Sequence, residues 1–428
     1  MADVKIQTVR ITIPTSGTTL DATISGFGDV QAVLAFNSNA TANDTLENNG
    51  IIGIGYLDRQ VTPNEVSVTI LSEDAQTASD TKRRHTTNSF ITSLDIAGAF
   101  EYNCSFNSYI TDGVRINLDV LPSSATLVTL VFFGGIDTTD SFASTINLGT
   151  GTSAIDVTAP GFEPSLVFMS TIGHGTPTAV QNNAIFSTGV CINDGADTQA
   201  FSALFDQDGQ GTANVGTYVS DGQTAAQVFN DSVNWLATIG SFDASGFSII
   251  PSASASSDLV FYLAIRFSNN PDISLDLLDG PTTTGDFSVT APGFEPSFGL
   301  IFTSDTTAVN INQSGEGIGL YAFDATNDFH VVYGSDDAVG TSNSGSLNSD
   351  SFHDLDGTTN LHVGTFSSFD ANGFTLNFTI VPSTARKWPI LTIGDGVAAA
   401  GRIMGSLAGK GGLAGMGGIA GKGGGLAS

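Results

Sequence analysis

Apolar and polar positions alternate with a period of two at three places along the chain, each time just after a glycine. These are Gly113 within SYITDGVRINLDVLPSS (108–124), Gly246 within SFDASGFSIIPS (241–252) and Gly373 within SFDANGFTLNFTIVPS (368–383). Period two marks a strand with one face buried and the other in water, and each glycine reads as a turn that launches it. An apolar stretch follows each one: Leu127–Phe133, Leu259–Phe267 and Trp388–Ile393. Short unbroken apolar runs between turn residues predict strands buried on both faces. Helical periodicity is almost absent.

A second landmark repeats in step with the first. VTAPGFEPS occurs at Val157–Ser165 and again at Val289–Ser297. Pro160 sets φ near −65° and Gly161 readily takes positive φ, so Ala159-Pro160-Gly161-Phe162 predicts a type II turn. Ala159 and Glu163 each precede a proline and are pushed towards extended backbone. The run Leu166–Met169 then reads as a buried strand, with Phe162 plugging the core beneath the turn. Pro292, Gly293, Phe294 and the run Phe298–Phe302 repeat the pattern. Ser25-Gly26-Phe27-Gly28 before Val30–Phe36 is a weaker copy that lacks both prolines. The two landmarks agree on a spacing of roughly 125–135 residues, far longer than a propeller blade or solenoid coil. The fold expected is all-β: three tandem homologous β-sandwich units, jelly-roll-like, at 1–138, 139–272 and 273–394.

Composition narrows what such a chain does. Of its 428 residues 40% are hydrophobic, enough for full cores, and only 13% are charged, about half the usual share. The formal net charge of −29 repels phosphate backbones and anionic headgroups, so no nucleic-acid partner is expected. No run is long and apolar enough to span a membrane, and MADVKIQTVRITIP lacks the apolar core of a signal peptide. Folding in a cytoplasm is expected. Cys104 and Cys191 fall in different units and imply no disulfide framework.

The last stretch, 395–428, is a different material. It is glycine-rich, holds Arg402, Lys410 and Lys422, and has no acidic residue after Asp395. Gly401, Gly405 and Gly409 form GxxxGxxxG; Leu413, Met416, Ile419 and Lys422 recur every third residue. A plain tether favours Ser over Leu, Met and Ile, so this tail reads as an assembly or anchoring segment.

No catalytic, cofactor-binding or metal residue is assigned, and no cofactor is expected. HExxH, CxxC and GxSxG are absent. His85, His174, His330, His353 and His362 are scattered over all three units, and structural or solvated roles are expected for them. His353-Asp354 near a serine resembles part of a triad on paper only. The strand 390–393 before GDGVAA lacks the following helix and second strand of a dinucleotide site. Asp206-Gln207-Asp208-Gly209 and Asp354-Leu355-Asp356-Gly357 open like calcium loops, but neither continues to the bidentate glutamate, and Asp-Gly is also ordinary turn chemistry. Glu163 and Glu295 read as a solvated face. Thr81-Lys82-Arg83-Arg84-His85, the only basic cluster, reads as a solvated loop in a polar insertion, or as an electrostatic contact with an acidic neighbouring subunit.

GFEPSLVF and GFEPSFGLIF, with the glycine-rich end, resemble repeats and termini of structural proteins of tailed bacteriophages: tail-fibre, head-fibre and decoration-type proteins. The likeness covers the motif regions of all three units and the tail, and the first unit departs from it by lacking both prolines. It implies a non-enzymatic virion component, made in the host cytoplasm without a signal peptide. Its partners would be copies of itself in a symmetric oligomer, trimers among them, and other virion proteins. A receptor- or carbohydrate-binding adhesin, recognising a host surface glycan or receptor, is the alternative. A glycan depolymerase with paired carboxylates comes third.

Overall fold

In a computed structural model, residues 3–175, 179–253, 258–269 and 271–394 are described, and all their regular structure is β-strand. The tail at 395–428 lies outside the described residues.

The strands form three pairs of sheets, and every neighbouring pair of strands described is antiparallel. In the first pair the larger sheet runs Lys5–Ile13, Thr126–Gly134, Val30–Asn37, Gly50–Asp58, Glu65–Ser72, Thr81–Thr86. The smaller runs Thr19–Thr23, Gly113–Val120, Phe100–Ile110, Ile91–Leu94. The same order recurs in the second pair, whose larger sheet begins Thr138–Asn147, Leu259–Phe267, Leu166–Thr171, Ala184–Ile192 and ends Gln199–Asp206, Val215–Ser220. It recurs again in the third: Ile273–Asp279, Lys387–Ile393, Phe298–Ser304, Gly317–Asp324, Asp328–Ser335, Ser344–Ser349. Within each pair the sheets enclose a sandwich-like core: Phe27, Phe90 and Phe132 in the first, Phe162, Trp235 and Phe247 in the second, Phe323, Phe374 and Trp388 in the third.

The opposite faces of the three larger sheets meet in one further core. Ile52, Ile54 and Tyr56 of the first, Phe168, Phe186 and Leu263 of the second, and Phe298, Leu300 and Leu320 of the third belong to it. Phe133 touches both Phe168 and Phe298, with ring centroids 5.8 and 6.3 Å apart. This explains the unbroken apolar runs. Gly50–Asp58, Ala184–Ile192 and Gly317–Asp324 are buried at every position because each faces a sandwich core on one side and the shared core on the other.

The far edges of the larger sheets are closed in a ring. Gln181–Asn182 of the second unit pairs with Lys82 and Arg83 of the first. Glu47–Asn48 of the first pairs with Gly345 and Ser346 of the third. Gln313 of the third exchanges backbone hydrogen bonds with Thr217 of the second, 2.9 and 3.1 Å. Part of each far-edge row of backbone donors and acceptors is thereby paired from within the chain.

Two local readings change. The turn in the repeated motif closes one residue early, with the N–H of Gly161 donating to Thr158 O at 3.2 Å and also to Ser245 O at 2.9 Å. Gly161 and Gly293 still take positive φ, 75° and 72°. Gly113, Gly246 and Gly373 are not the turns themselves but the first residues of their strands. A Cβ there would lie 2.0, 1.8 and 1.8 Å from the carbonyl oxygens of Ala22, Val157 and Val289. Glycine is required by that close approach of neighbouring backbone, at the same place in all three sandwiches.

Candidate functional site

Phe27, Phe162 and Phe294 are buried, 2%, 4% and 6% exposed, while Glu163 and Glu295 face solvent. Glu163 accepts a hydrogen bond from the side-chain amide of Asn193 at 2.9 Å. The repeated stretch is scaffold around a phenylalanine plug.

The first Asp-x-Asp-Gly stretch joins units together, and the second lies within the third unit. Asp206, 1% exposed, accepts the hydroxyls of Tyr333 (2.9 Å) and Ser335 (2.7 Å) from the third unit. Burial raises its carboxyl above the ordinary range, against the pull of those hydroxyls. Asp208 accepts the N–H of Thr81 (3.0 Å) and the amide of Asn182 (2.6 Å). Asp354 is fully buried and faces His362 at 3.3 Å. No group of three or more His, Cys, Asp or Glu among the described residues is arranged to hold a metal ion.

The histidines, far apart in sequence, gather in two places. His330, His353 and His362 share the third sandwich, packed around Phe352 and Trp388. His353 Nε2 pairs with Ser351 Oγ at 3.1 Å and Nδ1 with Asn360 Oδ1 at 3.0 Å. Asp354, the neighbour in sequence, points to His362 instead. Ser351 is tied into its own turn by Ser349, whose Oγ lies 2.8 Å from its hydroxyl and accepts its N–H at 2.9 Å. His85 and His174 form the second gathering, from the first and second units, with ring centroids 5.5 Å apart.

The basic cluster is where sequence and structure differ most. Residues Thr81–Thr86 are a strand in the larger sheet, paired with Glu65–Ser72, rather than a solvated loop. The apolar pattern does not reveal it, because Lys, Arg and His occupy its alternating positions. Its flanks are occupied inside this chain: Arg84 lies over the ring of Phe100 at 3.8 Å, and His85 is 1% exposed against Phe261.

One junction between units breaks the pattern of the others. Asp324 of the third unit accepts the N–H of Thr8 of the first at 2.6 Å; Asp58 of the first accepts that of Ala143 of the second at 2.8 Å. The matching position in the second unit is Ile192, paired with Leu166 as Asp58 is with Ala32 and Asp324 with Phe298. An open cleft of about 710 Å³ lies here, lined by Glu163, Asn193, Asp194, Arg266, Asp272 and Ile273. No helix among the described residues is long and apolar enough to cross a membrane.

The chain matches no family model and no curated protein at a significant level.

Proposed function

We propose that this is a non-enzymatic structural protein of a virion, a head decoration, fibre or tail appendage, assembling through its glycine-rich end with copies of itself and with other virion proteins. The observation that carries this reading is the ring of exchanged edge strands around a shared core. It makes one chain into a single closed body with the far edges of its large sheets partly paired within the chain, suited to bearing load. Asp206, Asp208 and His353 support the same reading, since their side chains bond across strands and units.

An adhesin finds less support. Sugar-binding faces present aromatic rings, whereas Trp235 and Trp388 are buried and every large exposed apolar side chain described is aliphatic. The test is absolute mass by light scattering for the full chain and for one ending at Gly394. A discrete oligomer that dissociates on truncation is expected. Identical monomers would overturn assembly through the tail.

A further inference from the structure

The last strands of the three larger sheets each abut the next unit, and the three seams differ in how their polar groups are satisfied. At the seam between third and first units, Asn348 donates to Leu127 O at 3.0 Å and accepts from Ser38 Oγ at 3.3 Å. Between second and third, Thr306 Oγ1 donates to Thr217 Oγ1 at 2.8 Å. Between first and second, Thr81 Oγ1 donates to Asp206 O at 3.0 Å, and the same strand, Thr81–Thr86, also presents bases. Arg83 and His85, two apart in an extended strand, share one face. His85 stands 5.5 Å from His174 of the second unit, ring to ring.

Among the described residues, five buried nitrogens there have no hydrogen-bond partner: Nε and Nη1 of Arg83, Nδ1 and Nε2 of His85, and Nε2 of His174. Leaving buried donors unpaired is costly, and a guanidinium is a fork shaped for the oxygens of an oxyanion. The nearest carboxylate does not take this role. Asp258 faces Arg83 and His174, but its Oδ2 accepts the indole N–H of Trp235 at 2.7 Å, and it makes no ion pair with either among the described residues. Burial, then the neighbouring His174 and Arg84, push His85 down to about 4, consistent with positive potential in the seam. Arg83 is only partly buried, so the seam is open to solvent on its side.

We propose that the seam between the first and second units binds a small oxyanion, held by the guanidinium of Arg83 and the imidazole nitrogens of His85 and His174. The ligand class is a phosphate- or sulfate-like anion, whose oxygens accept from several donors at once. Binding would cross-link the two units at a seam where these five nitrogens have no partner among the described residues. On a protein so acidic overall, the only basic cluster would then serve a buried anion rather than a macromolecular partner.

The experiment uses the full chain, with phosphate and sulfate as probes and chloride at equal ionic strength as the reference. Melting midpoints should rise with each tenfold increase in phosphate, as mass action requires of a ligand that binds only the folded state. The ¹⁵N resonances of the His85 and His174 rings should move along the same titration. Arg83→Met should abolish both responses, while Arg115→Met, on an exposed outer sheet, should retain them. Arg83→Lys, which keeps the charge and loses the fork, should shift the phosphate midpoint about tenfold or more. The proposal is overturned by a phosphate effect no larger than that of chloride, or by wild-type responses in Arg83→Met. An unchanged midpoint in Arg83→Lys, the variant to use where Arg83→Met does not fold, overturns it as well.

Discussion

Asp324 accepts both the backbone N–H of Thr8, at 2.6 Å, and its hydroxyl, at 2.9 Å, across 316 positions of sequence. One carboxylate at the end of a hairpin thus fastens the first strand of the chain to its third unit. Asp58 does the same for Ala143 of the second unit. Where the second unit should fasten the third, Ile192 stands in the shared core and the cleft opens beside it. Two of the three junctions thus carry a hairpin-end carboxylate clasp, and the third places Ile192 at that position instead.

Asp324→Ala should therefore destabilise the whole chain and not only its hairpin. The substitution leaves the buried N–H and hydroxyl of Thr8 without their acceptor, at a cost of about 1–3 kcal/mol. The unfolding free energy from urea titration should fall by that amount, with the midpoint moving down in a single transition. A separate early transition of the third unit would show that the clasp is local.

The glycines separate two physical requirements. At Gly246 a Cβ would lie 1.8 Å from Val157 O, a backbone atom that cannot swing away. Gly161 has positive φ but nothing within 4 Å of a Cβ. Gly246→Ala should cost at least about 2 kcal/mol, as overpacking does, and Gly161→Ala about 1 kcal/mol, the penalty for left-handed backbone. Thermal midpoints in the opposite order would refute this assignment of their roles.

Stability should fall as pH rises from mildly acidic to alkaline. Burial pushes Glu65 up to about 8 from 4.5, although it accepts the N–H of Phe106 at 2.7 Å. Burial, with Asp356 beside it, raises Glu316 to about 8, and burial with Asp354 nearby raises Asp305 to about 7. The folded state therefore holds protons that the unfolded chain releases. Their contribution is complete below the unfolded value and is lost as pH passes through the folded one. Glu65→Gln should gain on the order of ~2 kcal/mol at about pH 9 and change little near pH 4.5. Urea midpoints across that range test it, and an equal gain at both ends would dismiss proton release as the cause.

Local sequence determined the strands and their repeats. Period-two alternation after Gly113, Gly246 and Gly373 marks strands with one wet face, and unbroken apolar runs mark strands with none; both are properties of a few adjacent residues. Phe162 and Phe294 as core plugs followed from the same local logic. The strand Thr81–Thr86 escaped it because its register depends on partners in two units, and its buried face carries Arg83 and His85. The partners of Asp206, Asp324 and the histidines were equally hidden. Which distant backbone lies against a carboxylate depends on how three sheets close around one core, and no short window of sequence carries that information. Tertiary structure alone decided that the repeats form a ring and which of its junctions lacks the carboxylate clasp, because those outcomes arise from faces and edges meeting across hundreds of residues.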